Sequence, residues 1–479
     1  MNKFKLFMEN FIIYGLGGII NKLIPLVMIP VITRLMPDTT YYGISDMANI
    51  MVSFGTAIAV LGMYDAMYRL FFEKDESEYR IKVCSTTLAF VGCTSILISF
   101  LLIVFKKRLS YFFLGSSKVS FIIYLIAVAV FFEGVNTIIA SPTRMQNKRK
   151  IYLITNTVGP AISYTMSILL LIKGHYLIAM PLGLLISSLF IHITYIIINK
   201  SWFSYKFIDL KMLRVMLPIG IPMAVNTLTY WVYNSCDRLM ITNLINVGES
   251  GVYANGAKLG HASQLVYTAF AAGWQYFAFS TMKEEDQVKS NSLVFEYLGA
   301  VSFAVSMFVC TFSKSIFKVL FTSEYQRGYI IAPYLFLAPL LLMLFQVISN
   351  QFLVIKKTWP NMLILILGAV VNIGLNYILI PRIGIEGAAV ATLSGYIVAL
   401  IIAAAVLSRM KLFKVSVRFP AASVVMLLVM LLWRLLLSDN MPAMLVLSVA
   451  GVIIIMLLYI KDLRFLVNRI KVRKEENNE

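Results

Sequence analysis

The sequence predicts an all-α integral membrane protein, and three features of the chain lead to this class. Of 479 residues, 59% are hydrophobic and only 14% are charged, whereas a water-soluble domain carries about 25% charged residues. Apolar stretches long enough to cross a hydrocarbon layer of about 30 Å as a helix recur along the whole chain. Polar residues do not alternate with apolar ones in these stretches, for example in 362–371 and 398–407, as they would in a membrane β-barrel.

We predict about 14 membrane-spanning helices, because a segment inside lipid must satisfy its own backbone hydrogen bonds. In chain order the predicted limits are 10–33, 44–64, 83–105, 119–140, 151–173, 176–198, 213–236, 250–280, 292–312, 328–351, 361–380, 386–407, 419–437 and 441–460. We group them into an N-terminal lobe of six helices at 1–212, a C-terminal lobe of six at 213–410, and two extra C-terminal helices at 411–460.

The distribution of Lys and Arg indicates the orientation of the helices. When the N-terminus is placed in the cytoplasm, most cationic residues fall in cytoplasmic loops, as the positive-inside rule requires. The net charge of +19 is therefore assigned to these loops and to a basic cytoplasmic tail at 461–479, and not to nucleic acid binding. We expect a multi-pass protein of the inner (cytoplasmic) membrane with both termini in the cytoplasm.

Ionisable residues inside the predicted spans are candidates for a functional site. A charge at the bilayer centre costs about 2.5–3.5 kcal/mol, so it is retained where a cavity or a partner compensates it. Lys22 lies near the middle of the first span, beside Asn21 and three residues before Pro25. Proline bends a helix and frees a carbonyl group, which suits the lining of a cavity.

The eighth predicted span carries a second polar group of residues. Lys258, His261 and Gln264 are spaced to share a helix face. They either line a polar cavity, or the span begins later and Lys258 extends to the outer interface.

Other charged residues lie near the ends of predicted spans. Arg34 and Arg238 close spans one and seven on the outer side, as binding residues or as interfacial anchors. Asp237, the neighbour of Arg238 in sequence, is the candidate to neutralise it. Glu133 in span four is either a proton or cation site or a hydrogen-bond partner of a neighbouring helix. The central candidates, Lys22 and Lys258, carry positive charge, which suits an anionic substrate such as a phosphate or pyrophosphate group.

The sequence does not favour an enzyme. It contains no GxxxxGK[ST] or HExxH motif and no Cys/His cluster with metal-ligand spacing. No loop is long enough to fold as a catalytic domain. We therefore expect no catalytic residues, no cofactor and no metal ion.

Three segments of the chain resemble a known family of membrane proteins. They are Tyr14-Gly15-Leu16-Gly17-Gly18 through Lys22, Pro25, Pro30 and Arg34 to Tyr42-Gly43; Asn234-Ser235-Cys236-Asp237-Arg238 with Gly251-Val252-Tyr253-Ala254 and Lys258-Leu259; and Asn372-Ile373-Gly374-Leu375-Asn376-Tyr377 with Gly384-Ile385-Glu386-Gly387-Ala388-Ala389. With the 14 spans, these segments are similar to the polysaccharide flippases of the multidrug/oligosaccharidyl-lipid/polysaccharide exporter superfamily.

The resemblance implies a fold and a function. The fold is two six-helix lobes in a V around a central cationic cavity, plus two extra helices. The function is alternating-access transfer of undecaprenyl-pyrophosphate-linked oligosaccharide repeat units, such as O-antigen or capsule units, from the cytoplasmic to the outer leaflet. The expected partners are this lipid-linked substrate, membrane lipid and a coupling H+ or Na+. The resemblance implies that Lys22 and Lys258 hold the pyrophosphate. Together with the candidates from their positions in the sequence, the predicted substrate-binding residues are Lys22, Lys258, Arg34, Arg238, Asn21 and His261.

Two alternatives remain open at this point. A cation-coupled multidrug exporter of the same superfamily would need buried carboxylates, for which Glu133 is the candidate. A membrane glycan polymerase or transferase is the second alternative.

Overall fold

A computed structural model describes residues 23–268, 284–355 and 359–462, together with positions 270, 274, 278, 357 and 464. All regular secondary structure in this part of the chain is helical. The helices are α1 (Leu23–Leu35), α2 (Thr39–Val60), α3 (Met63–Phe71), α4 (Ser77–Val104), α5 (Lys106–Leu114), α6 (Ile122–Ile139), α7 (Ser141–Met145), α8 (Arg149–Ile172), α9 (Ala179–Asn199), α10 (Leu210–Leu244), α11 (Val247–Gly260), α12 (Gln287–Leu320), α13 (Ala332–Val354), α14 (Trp359–Ile383), α15 (Ile385–Arg409), α16 (Arg418–Leu432) and α17 (Met441–Leu458). Short 3-10 turns lie between several of them, and a π-helical turn at Trp433–Leu437 extends α16.

The predicted fold class is confirmed. Within the described residues, 12 helical segments are long and apolar enough to cross a membrane, and they correspond to predicted spans two to seven and nine to fourteen. The apolar helix α1 and the helix α11 lie where spans one and eight were predicted, and the remainder of both spans lies partly outside the described residues.

The seventh span ends later in the structure than the sequence predicted. We predicted this span to end at 236, but α10 continues to Leu244. The sequence after 236 contains charged and amide residues, which are typical of a loop. In the structure Asp237, Arg238 and Asn243 remain helical because their side chains bind partners on neighbouring helices or in their own helix.

The described residues form two compact units. The first unit contains the described residues up to Asn255, together with Phe321–Tyr325 and Leu375–Ala388. Within it, α6 packs against α2, α4 and α9, and α8 packs against α9. An apolar core of this unit includes Met47, Ile126 and Val130. The outer side chains of α4, such as Phe100, are exposed and apolar, as expected for a surface that faces lipid.

The second unit contains Gly256–Leu320, Gln326–Gly374 and the described residues from Ala389 onward. Within it, α12 packs against α13, α16 and α17. The Glu296 carboxylate of α12 is buried and accepts hydrogen bonds from the backbone N–H of Ser416 at 2.7 Å and from its hydroxyl at 2.6 Å. This contact joins α12 to the segment that precedes α16. The lobe boundaries drawn from the sequence stay predictions.

A backbone break separates α2 from α3 in the first unit. Leu61 and Gly62 both have left-handed backbone conformations, with φ of 48° and 67°. Gly62 also contacts α10 backbone to backbone: a Cβ at this position would overlap the carbonyl oxygen of Gly220 and lie 2.9 Å from the amide nitrogen of Ala224. Position 62 therefore requires glycine for its conformation and for the approach of α10.

These two requirements predict the effect of Gly62→Ala. A left-handed conformation alone costs a residue with a side chain about 1–2 kcal/mol, and forcing a methyl group against α10 adds roughly 1–3 kcal/mol. Chemical unfolding of the purified protein in detergent measures the change. Gly174→Ala is the matched control, because Gly174 has φ of 80° but no atom within 4 Å of its Cβ position. Equal losses for the two variants would contradict the close contact with α10.

Candidate functional site

The site in the first unit is built where α2 and α11 cross at two glycines. A Cβ on Gly43 would overlap the carbonyl oxygen of Val247, and a Cβ on Gly251 would lie 2.8 Å from the Gly43 amide nitrogen. Small residues let membrane helices approach backbone to backbone. Both glycines lie in the first turns of their helices and in segments that carry the family resemblance, and this crossing brings those segments together.

An ion pair joins α2 to α10 next to this crossing. Arg238 donates from Nη1 to Asp46 Oδ2 at 2.9 Å and from Nη2 to the carbonyl oxygen of Asn234 at 2.5 Å. Asp46 is 3% exposed, and 18% of the Arg238 side chain is exposed. The pair is thus largely removed from solvent, where losing one partner leaves a charge uncompensated.

The structure gives Arg238 a different partner from the one expected. We considered Asp237, its neighbour in sequence, but adjacent residues of a helix point in directions about 100° apart. Asp237 instead accepts hydrogen bonds at 2.7 Å from the Tyr253 hydroxyl and at 2.7 Å from Asn376 Nδ2. Two resemblance segments, containing Asp237 and Asn376, are therefore in direct contact.

Two cavities lie beside this cluster. The smaller one, of about 450 Å³, is lined by Asp46, Asn49, Ile50, Ser53, Ala57, Thr227, Tyr230, Trp231, Asn234, Ser235 and Arg238. The larger one, of about 810 Å³, shares four of these residues, Asn49, Ser53, Ala57 and Thr227. The two cavities are thus adjacent, and polar side chains of α2 line both.

The larger cavity has a polar but not a cationic lining. Hydroxyl and amide side chains from α2, α6, α8 and α9 contribute to it, as do two carboxylates, Asp65 and Glu133, while its described lining contains no Lys or Arg. Partial desolvation raises the pKa of the Asp65 carboxyl at the start of α3 above its ordinary value. The hydroxyl of Thr56, also in the lining, is buried and has no hydrogen-bond partner among the described residues.

A hydrogen-bond network holds Glu133 at this cavity. The Ser188 hydroxyl of α9 donates to Glu133 Oε1. Asn136 Nδ2 donates to the Ser188 carbonyl at 2.9 Å, and Asn136 Oδ1 lies 2.9 Å from Nδ1 of His192. The sequence offered two interpretations of Glu133, and the structure shows the bond to a neighbouring helix together with a position on a cavity.

The predicted binding residues are distributed over both units. Arg34 is exposed near the end of α1, and Arg238 is in the ion pair of the first unit. Lys258, in the last turn of α11, and His261, in the 3-10 turn that follows, are half-buried and belong to the second unit. Asn21 and Lys22 lie outside the described residues. The cationic binding site therefore stays a prediction.

Sequence reasoning did not identify Asp46, Tyr253 or Asn376 as members of this cluster. Asp46 falls two residues inside the predicted second span, where a charge is usually an interfacial residue. Tyr253 and Asn376 are in the resemblance segments, but nothing in their spacing showed that both bind Asp237. A carboxylate in an apolar stretch was the one signal that pointed to Asp46.

Comparison with family models matches residues 7–274, more than half of the chain, to the polysaccharide biosynthesis protein family. The chain belongs to this family. The resemblance seen in the sequence is thereby confirmed. No curated protein matches the chain.

Solved structures of a flippase and of transporters share the fold. The chain is similar to the lipid II flippase MurJ in an inward closed conformation, with a TM-score of 0.70 and 16% identity over 95% of this chain and 100% of MurJ. It is also similar to an inward-facing multidrug resistance MATE family transporter of the MOP superfamily, with a TM-score of 0.66 and 15% identity over 82% and 94%. A MOP superfamily transporter from Pyrococcus furiosus gives a TM-score of 0.60 and 13% identity over 85% and 95%. At these identities the likeness shows the fold, which flippases and exporters share.

The buried ion pair makes a prediction about stability. Asp46→Asn and Arg238→Gln should each lower the free energy of unfolding by about 3–5 kcal/mol, because each removes one member of a largely buried ion pair. The double variant should cost less than the sum of the two, since neither charge remains. Chemical unfolding in detergent measures all three variants.

The control for this cycle is an ion pair on the surface. Arg80 and Asp75 are 2.5 Å apart, but the Asp75 side chain is fully exposed. Asp75→Asn should therefore change the free energy of unfolding by only about 0–1 kcal/mol.

One result would contradict the role of the buried pair. If the losses for Asp46→Asn and Arg238→Gln add up in the double variant, the two side chains do not stabilise each other.

Proposed function

We propose that the protein is a flippase for undecaprenyl-pyrophosphate-linked oligosaccharide repeat units in surface polysaccharide synthesis. It would work by alternating access in the inner membrane, with both termini in the cytoplasm. The observation that carries the proposal is the family match over 7–274. The fold over 95% of the chain is shared with a flippase for lipid II, which supports a lipid-linked cargo.

The proposed site for the pyrophosphate consists of cationic and polar side chains. Lys22 and Lys258 supply the main positive charge, and Arg34, Arg238, Asn21 and His261 contribute further donors. Ammonium and guanidinium groups form strong charge-assisted hydrogen bonds to phosphate oxygens. The polyprenyl chain would stay in the lipid.

Arg238 is engaged with Asp46 in the structure, and this constrains its proposed role. It lines the cavity of about 450 Å³ while two of its guanidinium nitrogens bind Asp46 and Asn234. A phosphate oxygen can replace the Asp46 carboxylate as the acceptor at similar charge. We therefore propose that Arg238 exchanges Asp46 for the cargo during transport, which would couple binding to the contact between α2 and α10.

One observation favours a second candidate, a cation-coupled exporter of the same superfamily. The larger cavity presents Glu133 and Asp65 without a Lys or Arg in its described lining, and such a cavity suits a cationic ligand. The fold is also shared with a multidrug resistance transporter. The membrane glycan polymerase or transferase gains no support from the family or the fold, which are those of transporters and flippases.

The flippase proposal predicts the effect of removing the central ammonium groups. In a strain that lacks the gene, Lys22→Ala and Lys258→Ala should each restore less than about a tenth of the surface glycan restored by the wild type, since each loses a charge-assisted contact worth about 1.5–3 kcal/mol. Glycan is measured by immunoblot, and membrane levels of each variant are measured in parallel. Lys173→Ala, an exposed lysine that follows α8, is the control and should restore glycan fully.

Two results would contradict this proposal. The first is normal surface glycan in a strain that carries Lys22→Ala. The second is a deletion strain with normal glycan but increased sensitivity to cationic drugs, which would favour the exporter.

A further inference from the structure

Glu133 is a carboxylate inside the predicted fourth span, and its charge needs compensation. It lines the cavity of about 810 Å³ in the first unit. The one side chain that binds its carboxylate in the described structure is that of Ser188. A neutral hydroxyl does not cancel a negative charge in a low-dielectric region, so a proton or a cation must do so.

The groups around Glu133 favour a proton over a metal cation. The Ser188 hydroxyl directs its hydrogen at the carboxylate, and the Thr137 hydroxyl donates its hydrogen to the Glu133 backbone carbonyl at 2.9 Å. A metal cation needs several oxygen lone pairs directed at one point. In the described residues the Glu133 carboxylate is contacted by one side-chain oxygen, that of Ser188, which is too few for a metal cation but compatible with a carboxylate that gains and loses a proton.

The titratable groups on the surrounding elements are few. Tyr64 and Asp65 of α3 and Tyr164 of α8 line the same cavity. Arg144 of α7 extends toward it by donating to the Tyr64 hydroxyl at 2.8 Å.

The other titratable groups are connected to Glu133 less directly. From α9, His192 connects to Ser188 through Asn136. From α2, Asp46 lines the adjacent cavity and is paired with Arg238. The lining contains no residue of α4.

Ser188 has a second acceptor within reach. Its hydroxyl oxygen lies 3.0 Å from the carbonyl oxygen of Leu184, one turn earlier in α9, and Leu184 also lines the cavity. A hydroxyl group has one hydrogen, so it makes a full hydrogen bond to only one of the two acceptors at a time. With Glu133 ionised, the hydrogen is directed at the carboxylate, and with Glu133 protonated, the acid donates to Ser188 Oγ and the serine hydrogen turns to Leu184.

We propose that Glu133 and Ser188 form a proton-operated switch that couples transport to a pH gradient. The chemical step is the binding of H+ to the Glu133 carboxylate to give the neutral acid, and its release on the other side of the membrane restores the carboxylate. Proton binding changes the charge of the cavity by one and reverses the hydrogen bond between α6 and α9. This inference rests on the proposed transport function, for which it names the coupling ion.

The protonation step can be tested without transport. Infrared difference spectroscopy of the full-length protein in lipid, titrated between acidic and alkaline pH, should show a carboxyl C=O band that is absent in Glu133→Gln. Glutamine keeps the oxygen that accepts from Ser188, so the fold should be retained. Ser188→Ala should shift the midpoint of this band by about one unit to higher pH, because removing a donor to the carboxylate favours the neutral form. A spectrum unchanged by Glu133→Gln would overturn the proposal.

The coupling step uses proteoliposomes that contain the lipid-linked oligosaccharide that accumulates in a deletion strain. The wild type should transfer this cargo several-fold faster when a pH gradient is imposed, whereas Glu133→Gln should transfer it at one rate with and without the gradient. Glu78→Gln, an exposed carboxylate at the start of α4, is the control and should keep the acceleration. Acceleration of the wild type by a Na+ gradient alone would overturn the proton assignment.

The two proposals fail in different ways. If the wild type transfers no lipid-linked cargo under any gradient, the proposed function fails, while the infrared titration still decides whether Glu133 binds a proton. If the wild type transfers cargo without responding to pH, the function holds and the switch is overturned.

Discussion

A charge placed among membrane helices must be compensated by the protein itself, and this constraint explains the contacts of the first unit. Arg238 and Asp46 compensate each other, and the pair ties α10 to α2. Asp237 is stabilised by donors from Tyr253 and Asn376, which tie α10 to α11 and α14. Each buried charge therefore fixes one helix against another. A movement of α10 has to preserve these contacts or replace them with others of the same charge.

The helices themselves could be predicted from sequence because partition into lipid depends mainly on the composition of a continuous segment. The ends of most spans were predicted to within a few residues for this reason. The end of α10 was not, since Asp237 and Asn243 look like loop residues when their partners are unknown. Asn243 Nδ2 donates to the carbonyl of Phe112 at 2.9 Å, a contact between residues 131 positions apart. Tertiary contacts of this kind are invisible to any pattern based on a local window.

The same limit applies to the candidate site. The sequence shows that a charge such as Arg238 requires a partner, but the partner is 192 positions away in the chain. The nearest carboxylate in sequence, Asp237, was the natural choice and points elsewhere. For Glu133, the sequence offered a proton or cation site and a hydrogen bond to another helix as alternatives. In the structure Glu133 both accepts a hydrogen bond from Ser188 of α9 and lines the cavity, so the hydrogen bond does not exclude the proposed proton site.

The proposed cationic site needs positive charge to bind the pyrophosphate, whereas the proposed proton switch needs a carboxylate that can carry a negative charge. The two are linked because both contribute to the net charge of the carrier. In the proposed carrier, bound pyrophosphate would offset the positive charge of Lys22 and Lys258, and the empty carrier would lack this negative charge. Moving one elementary charge through the membrane potential is worth about 2.3 kcal/mol per 100 mV. An ionised Glu133 lowers the positive charge of the empty carrier by one, and a protonated Glu133 does not. The electrical work of the return step would therefore depend on whether the proton has been released, so that a carrier of anionic cargo has a physical reason to contain a titratable carboxylate as well as its cations.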